Sequence, residues 1–236
     1  MFRIKICGIT NVEDAIAAVD AGADAIGLNF YEKSPRYVTE QQVRQIGEGM
    51  GRERGMAVVP VGVFVNHSFN ALQRHWGRGG DRFVVQLHGD ESPEFVASVK
   101  TAMAATYATD DCQLIWAQRL GELGLEELRQ KQAQCGAFGA LPDAILVDSV
   151  APVGYGGTGT VLAWERLADY QSQLGDILLI LAGGLTPENV AEAIRIVRPA
   201  AVDVASGVES SPGKKDPVKV RDFVTAAKAA FESLES

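Results

Sequence analysis

The sequence predicts an α/β protein folded as a (β/α)8 barrel, the TIM-barrel class, with residues 1–236 forming a single domain. Three observations carry that expectation. Strand-like and helical patterns alternate from end to end in eight units, one about every 30 residues, which is the length of a βαβ crossover. The strand-like segments are short, rich in β-branched residues, and often end in Gly, Asn, Asp or Ser. No linker, low-complexity tail or second-domain remnant is left over. An open doubly wound sheet is the structural runner-up, because periodicity alone does not prove closure.

In order, the strand segments are FRIKIC, AIGLNF, VPVGVFV, FVVQLHG, LIWA, AILVDS, ILLILAGG and AVDVASG. Between the first two, NVEDAIAAVDAGA places Val12, Ile16 and Val19 on one helical face and stops at Gly22. The stretch from Gly47 to Ala57, GEGMGRERGMA, reads as a loop insertion, and Ala105 to Asp143 is loosely patterned. TPENVAEAIRIVRP is a helix with Thr186 as N-cap and Pro187 in the first turn, ending before Pro199. DPVKVRDFVTAAKAAFESL closes the chain as a long amphipathic helix.

Composition excludes several classes. With 47% hydrophobic and 22% charged residues the chain is an ordinary globule, and a net charge of -8 argues against nucleic acid as a partner. The cysteines at 7, 112 and 135 are odd in number and far apart, so neither a disulfide framework nor a metal site is expected. No signal-peptide pattern occurs, and the most apolar run, ILLILAGGL, is too short to span a bilayer. A cytoplasmic location without a membrane partner is the expectation.

In such barrels reactive groups stand at the C-terminal strand ends and in the loops that follow. Those positions here are Cys7, Asn29, His88, Asp148, Gly183-Gly184 and Ser206-Gly207. Alternation turns Phe2, Ile4 and Ile6 toward the helices and leaves Lys5 and Cys7 inside, with Gln86 and His88 likewise sharing a face. A lysine inside a barrel needs a partner. Strand 8 closes on strand 1 and offers Asp203 at a comparable height, which predicts a Lys5–Asp203 ion pair beneath Cys7. The glycine-rich turns GYGGTG, LAGGLTPEN and VASGVESSPGKKD suit a phosphate held on backbone N–H groups, the last two following strands 7 and 8 where such barrels commonly bind one. The letters of a dinucleotide motif at Gly154–Gly159 and of a P-loop at Gly207–Lys214 lack the strand context, acidic residue or spacing those motifs need.

Together these stretches closely resemble the phosphoribosylanthranilate isomerase family. The matching motifs are KICGIT at 5–10, GADAIGLNFYEKSPRYV at 22–38, VGVFVN at 61–66 and QLHGDES at 86–92. They continue with LVDS at 146–149, YGGTG at 155–159, AGGLTPENV at 182–190 and VDVASGVESSPGKKD at 202–216. The resemblance implies a (β/α)8 enzyme of tryptophan biosynthesis. Its reaction is an Amadori rearrangement of a phosphorylated aminosugar, with no cofactor and no metal.

By the same resemblance Cys7 is the general base and Asp148 the general acid, while Arg36 meets the substrate carboxylate. His88 is expected as a substrate contact or a hydrogen-bonded rim residue, Asp203 as a substrate contact or the partner of Lys5 alone, and Gly156, Gly157, Gly183, Gly184, Ser206 and Gly207 are expected to hold the phosphate. A strand cysteine is more often a small buried hydrophobe, and a thiol needs a nearby cation to serve as base near neutrality, for which Lys5 is the candidate. Asp148 must hold a proton to act as acid. Where the family often has a lysine in strand 5 this chain has Trp116, and residues 118–143 form a longer segment than is usual. Alternatives are a related phosphate-ligand barrel of amino-acid biosynthesis and an inactive barrel serving as a binding module. The first would favour an aspartate where Cys7 stands, and the second would have lost the acid or base. The oligomeric expectation is a monomer or homodimer.

Overall fold

The computed structural model describes residues 1–76, 83–106, 112–121, 123–148 and 164–235. Eight parallel strands close in sequence order: β1 Ile4–Cys7, β2 Ala25–Asn29, β3 Val59–Phe64, β4 Phe83–Leu87, β5 Cys112–Arg119, β6 Ala144–Asp148, β7 Leu178–Leu181 and β8 Ala201–Val204. Closure, which periodicity left open, comes from β8 pairing with β1, where Lys5 stands opposite Asp203.

Side-chain alternation divides the core in two. Ile4, Ile6, Ile26, Leu28 and Trp116 belong to the layer between strands and helices. Inside the barrel the apolar filling is a separate cluster of mostly smaller residues, among them Ala25, Val61, Val84, Ala117, Ala144 and Ala201, with Phe2 at its base. Small side chains leave room on that floor for Lys5 and Gln86, both fully buried. Trp116 therefore faces the helices, and the inward face of β5 carries Ile115 and Ala117.

The helices are α1 Val12–Ala21, α2 Glu40–Ala57, α3 Phe69–Trp76, α4 Pro93–Thr106, α5 Leu125–Ala137, α6 Tyr170–Leu174, α7 Val190–Val197 and α8 Pro217–Glu235. The Asn11 side chain caps α1 by accepting from Asp14 N–H, and Gly22 ends it at φ 91°. The expected loop at Gly47–Ala57 is instead the second half of α2. Thr39 and Gln42 start that helix with a capping box, and it continues through its glycines with a break at Gly51, φ 72°. Helix α7 begins a turn later than its sequence suggests: Thr186 donates its N–H to Asn189 Oδ1, and Asn189 takes the N-cap position. After β8 the chain makes a 3-10 turn at Ser206–Val208 and then a small antiparallel ribbon, β9 Glu209–Ser211 with β10 Lys214–Lys215.

Candidate active site

At the C-terminal end of the barrel lies a cavity of about 320 Å³. Cys7 from the end of β1 and Asp148 from the end of β6 both line it, as does His88 just past β4. Arg36, from the loop after β2, and Asp203, from β8, complete the set of side chains expected there. Gly183, Gly184, Ser206 and Gly207 form the wall beneath α7. Gly156 and Gly157 lie outside the described residues.

The glycine wall is built by close approach. A Cβ on Gly207 would stand 1.9 Å from the Leu185 carbonyl oxygen, so the loops after β7 and β8 touch only because Gly207 lacks one. Gly183 and Gly184 both take positive φ, 81° and 66°, and the Asn189 side chain donates to the Gly184 carbonyl at 2.9 Å. Glycine takes this left-handed backbone without strain, which lets the loop turn here along the cavity wall.

Lys5 Nζ lies 3.0 Å from Asp203 Oδ1, directly below Cys7, as the inward face of β1 requires. Burial disfavours the Lys5 charge, but Asp203 and Cys7 outweigh it and hold the lysine above its ordinary value. The effect on Cys7 runs against the sequence expectation. Lys5 and Lys215 do draw the thiol down, yet burial is the larger influence, Asp203 adds to it, and the thiol stands above its ordinary value. Cys7 lines the cavity with 9% of the residue exposed.

Arg36 is engaged in a way the sequence did not suggest. Its Nε and Nη2 each donate to one oxygen of Glu209 at 2.7 Å, a bidentate pair. Lys215 Nζ reaches the same carboxylate at 3.0 Å and the Ala205 carbonyl at 3.0 Å. Burial penalises the Glu209 charge, but Arg36 and Lys215 together hold its carboxyl below the usual range. Burial pushes the Lys215 ammonium down against the pull of Glu209. A guanidinium has five N–H groups, so the pair with Glu209 engages its Nε–Nη2 side and leaves the Nη1–Nη2 edge outside that pair. Gly8 makes this placement possible: it has φ 76°, and a Cβ there would lie 2.4 Å from Arg36 Cδ.

Glu209 escaped the sequence reading because it sits two residues past Gly207 in a loop read for its glycines. An acid among Arg36, Lys214 and Lys215 was the available signal. Gln86 was placed inward but given no role; its amide lies between Lys5 and His88.

A closed (β/α)8 barrel with a thiol, a carboxyl group and a guanidinium around one mouth cavity is an enzyme-type barrel, since that end is where the fold carries its chemistry. Comparison with known proteins narrows the class. A sequence profile of the family described as N-(5'phosphoribosyl)anthranilate (PRA) isomerase matches residues 4–226. The N-(5'-phosphoribosyl)anthranilate isomerase of Geobacter metallireducens is 41% identical over 229 residues, 97% of this chain and 100% of that protein. The crystal structure of phosphoribosyl anthranilate isomerase from Thermotoga maritima superposes with a TM-score of 0.77 at 37% identity, covering 97% of this chain and all (100%) of that one. A phosphoribosyl anthranilate isomerase in complex with reduced 1-(o-carboxyphenylamino)-1-deoxyribulose 5-phosphate gives a TM-score of 0.73 at 34% identity, with 97% and 100% coverage. The chain belongs to the N-(5'-phosphoribosyl)anthranilate isomerase family.

Proposed function

We propose that this protein, acting as one barrel domain in the cytoplasm, converts N-(5'-phosphoribosyl)anthranilate into 1-(2-carboxyphenylamino)-1-deoxyribulose 5-phosphate, a step of tryptophan biosynthesis. Asp148 is the general acid and Cys7 the general base. The observation that carries this reading is that the Cys7 thiol and the Asp148 carboxyl group, from β1 and β6, open into one cavity beside the glycine wall.

The Asp148 proton goes to the furanose ring oxygen as the C1–O bond breaks and its electron pair stays on oxygen. The lone pair of the amine nitrogen then forms the C1=N bond. The resulting cationic imine acidifies the C2 proton, and Cys7 removes it as thiolate. The C–H electron pair becomes C1=C2 and the C=N pair returns to nitrogen. Loss of the enol O–H proton and gain of one at C1 give the ketose. This is proton traffic alone and asks for neither metal nor cofactor.

Burial disfavours the thiolate in the free protein. The cationic imine, added to Lys5 and Lys215, favours it in the liganded site. The Nη1–Nη2 edge of Arg36 suits the anthranilate carboxylate, and the amides around Gly183, Gly184, Ser206 and Gly207 suit the phosphate, for which Gly156 and Gly157 are proposed from the sequence alone. His88 and Asp203 flank the sugar. The ligand is a small phosphorylated aminosugar, with no nucleic acid or membrane partner, and the protein works as a monomer or homodimer. Among the described residues no helix is long and apolar enough to cross a membrane. The test is turnover of N-(5'-phosphoribosyl)anthranilate by purified protein, followed as loss of anthranilate-type fluorescence. No turnover would leave the binding-module reading, and turnover only of a different phosphorylated substrate would favour the related phosphate-ligand barrel.

A further inference from the structure

The barrel floor carries a line of polar groups that ends on Asp148, the acid of these proton transfers. Lys5 Nζ donates to Gln86 Oε1 at 2.9 Å. Gln86 Nε2 meets His88 Nδ1 at 2.8 Å, and His88 Nε2 lies 3.5 Å from Asp148 Oδ2. The line crosses from β1 through β4 to β6, and its first two members have no solvent exposure.

Its direction follows from its first member. An ammonium group can only donate, so Gln86 must turn its carbonyl oxygen to Lys5. The amide NH2 then faces His88 Nδ1, and it too can only donate. Nδ1 must accept, which puts the ring proton on Nε2, the nitrogen facing Asp148. The Asp203 carboxylate, 3.0 Å from Lys5 Nζ, keeps the lysine charged and so fixes the first donor.

We propose that Lys5 and Gln86 are positioning residues that fix His88 as the Nε2–H tautomer, so that His88 donates to Asp148 Oδ2 and the acidic proton of Asp148 is carried on Oδ1, toward the ligand. This rests on Asp148 being the acid of the reaction. In the other tautomer a bare Nε2 would accept the Asp148 proton in a hydrogen bond and hold it away from the ring oxygen. With Nε2–H in place, the carboxylate left after proton delivery receives a donor instead. The 3.5 Å separation is long for a hydrogen bond, and contacts of this kind tighten when ligand closes the site.

Nitrogen-15 NMR of histidine-labelled protein at pH 8 reads the tautomer directly, with His88 assigned by the signal lost in His88→Asn. The wild type is expected as Nε2–H. Gln86→Glu keeps the size of the side chain and the Lys5 contact but offers an oxygen to Nδ1. The ring should switch to Nδ1–H, and kcat should fall at least about tenfold while KM moves less than about threefold. A side chain with a merely structural role would leave the tautomer unmoved.

Three results would overturn the proposal: a wild-type Nδ1–H ring, a Gln86→Glu protein with the wild-type tautomer, or a switched tautomer with undiminished kcat. The wild-type spectrum needs no variant, so misfolding of Gln86→Glu leaves that arm decisive. Full turnover by Asp148→Asn would remove the acid assignment, and with it the use made of the tautomer. It would not alter the spectrum, which separates that failure from the other.

Discussion

Replacing Lys5 by Met tests the floor of the barrel. The Lys5 side chain has 0% exposure and that of Asp203 7%, with 3.0 Å between charges. Methionine matches the lysine stem but leaves Asp203 without its cation in a nearly dry setting. Removing one partner of a buried pair costs about 3–5 kcal/mol, which for a chain of this size lowers Tm by about 6–20 °C. Urea denaturation followed by circular dichroism measures the first figure and calorimetry the second. Lys5→Met/Asp203→Asn, which removes both charges, should recover most of the loss and stay within about 2 kcal/mol of the wild type. The folded lysine is held above its ordinary value, so its contribution is complete below pH 10.5 and is lost as pH rises through the higher folded value. The wild-type advantage over Lys5→Met should therefore be flat through neutrality and shrink only in strong alkali. A single-variant loss under about 1 kcal/mol, or a double variant weaker than the single, would refute the buried pair.

Other outcomes follow from the mouth. Alkylation of Cys7 by iodoacetamide, mapped by mass spectrometry, should be slow at pH 7 and rise with pH through an inflection above the ordinary thiol value of 9.0, because burial raises this thiol; an inflection below pH 8 would contradict it. Arg36→Lys loses the fork to Glu209 and should raise KM about tenfold with kcat little changed; an unchanged KM would count against the carboxylate contact. Gly8→Ala forces a side chain into φ 76° and against Arg36 Cδ. It should cost about 1–2 kcal/mol in urea unfolding and raise KM as Arg36 shifts; wild-type values for both would show that the crowding is relieved at no cost.

Much of this was legible because alternation along a strand is a strict rule. Placing Ile4 and Ile6 outward commits Lys5 and Cys7 inward, and the closing strand then supplies Asp203, which is where the ion pair lies. Asp148 and His88 were found as strand-end residues in the same way, and both line the mouth. Local composition failed where a rule competed with tertiary packing. The glycines at 47, 49, 51 and 55 read as a loop, yet a capping box at Thr39 and buried Ile46 and Met50 hold α2 through most of that run. Trp116 could not be assigned a face without the register of β5. The Glu209–Arg36–Lys215 cluster joins the loop after β2 to the ribbon after β8, a contact no spacing rule encodes. The sign of the Cys7 shift depends on whether burial or Lys5 dominates, and only the packed site decides that.

The central claim is that one thiol and one carboxyl group carry the protons. Steady-state turnover of N-(5'-phosphoribosyl)anthranilate by Cys7→Ala and Asp148→Ala, with circular dichroism as a check on folding, tests it most directly. The account predicts a loss of at least about 100-fold in kcat for each folded variant, the share general acid–base catalysis supplies. Appreciable activity in either folded variant would contradict the role assigned to that residue.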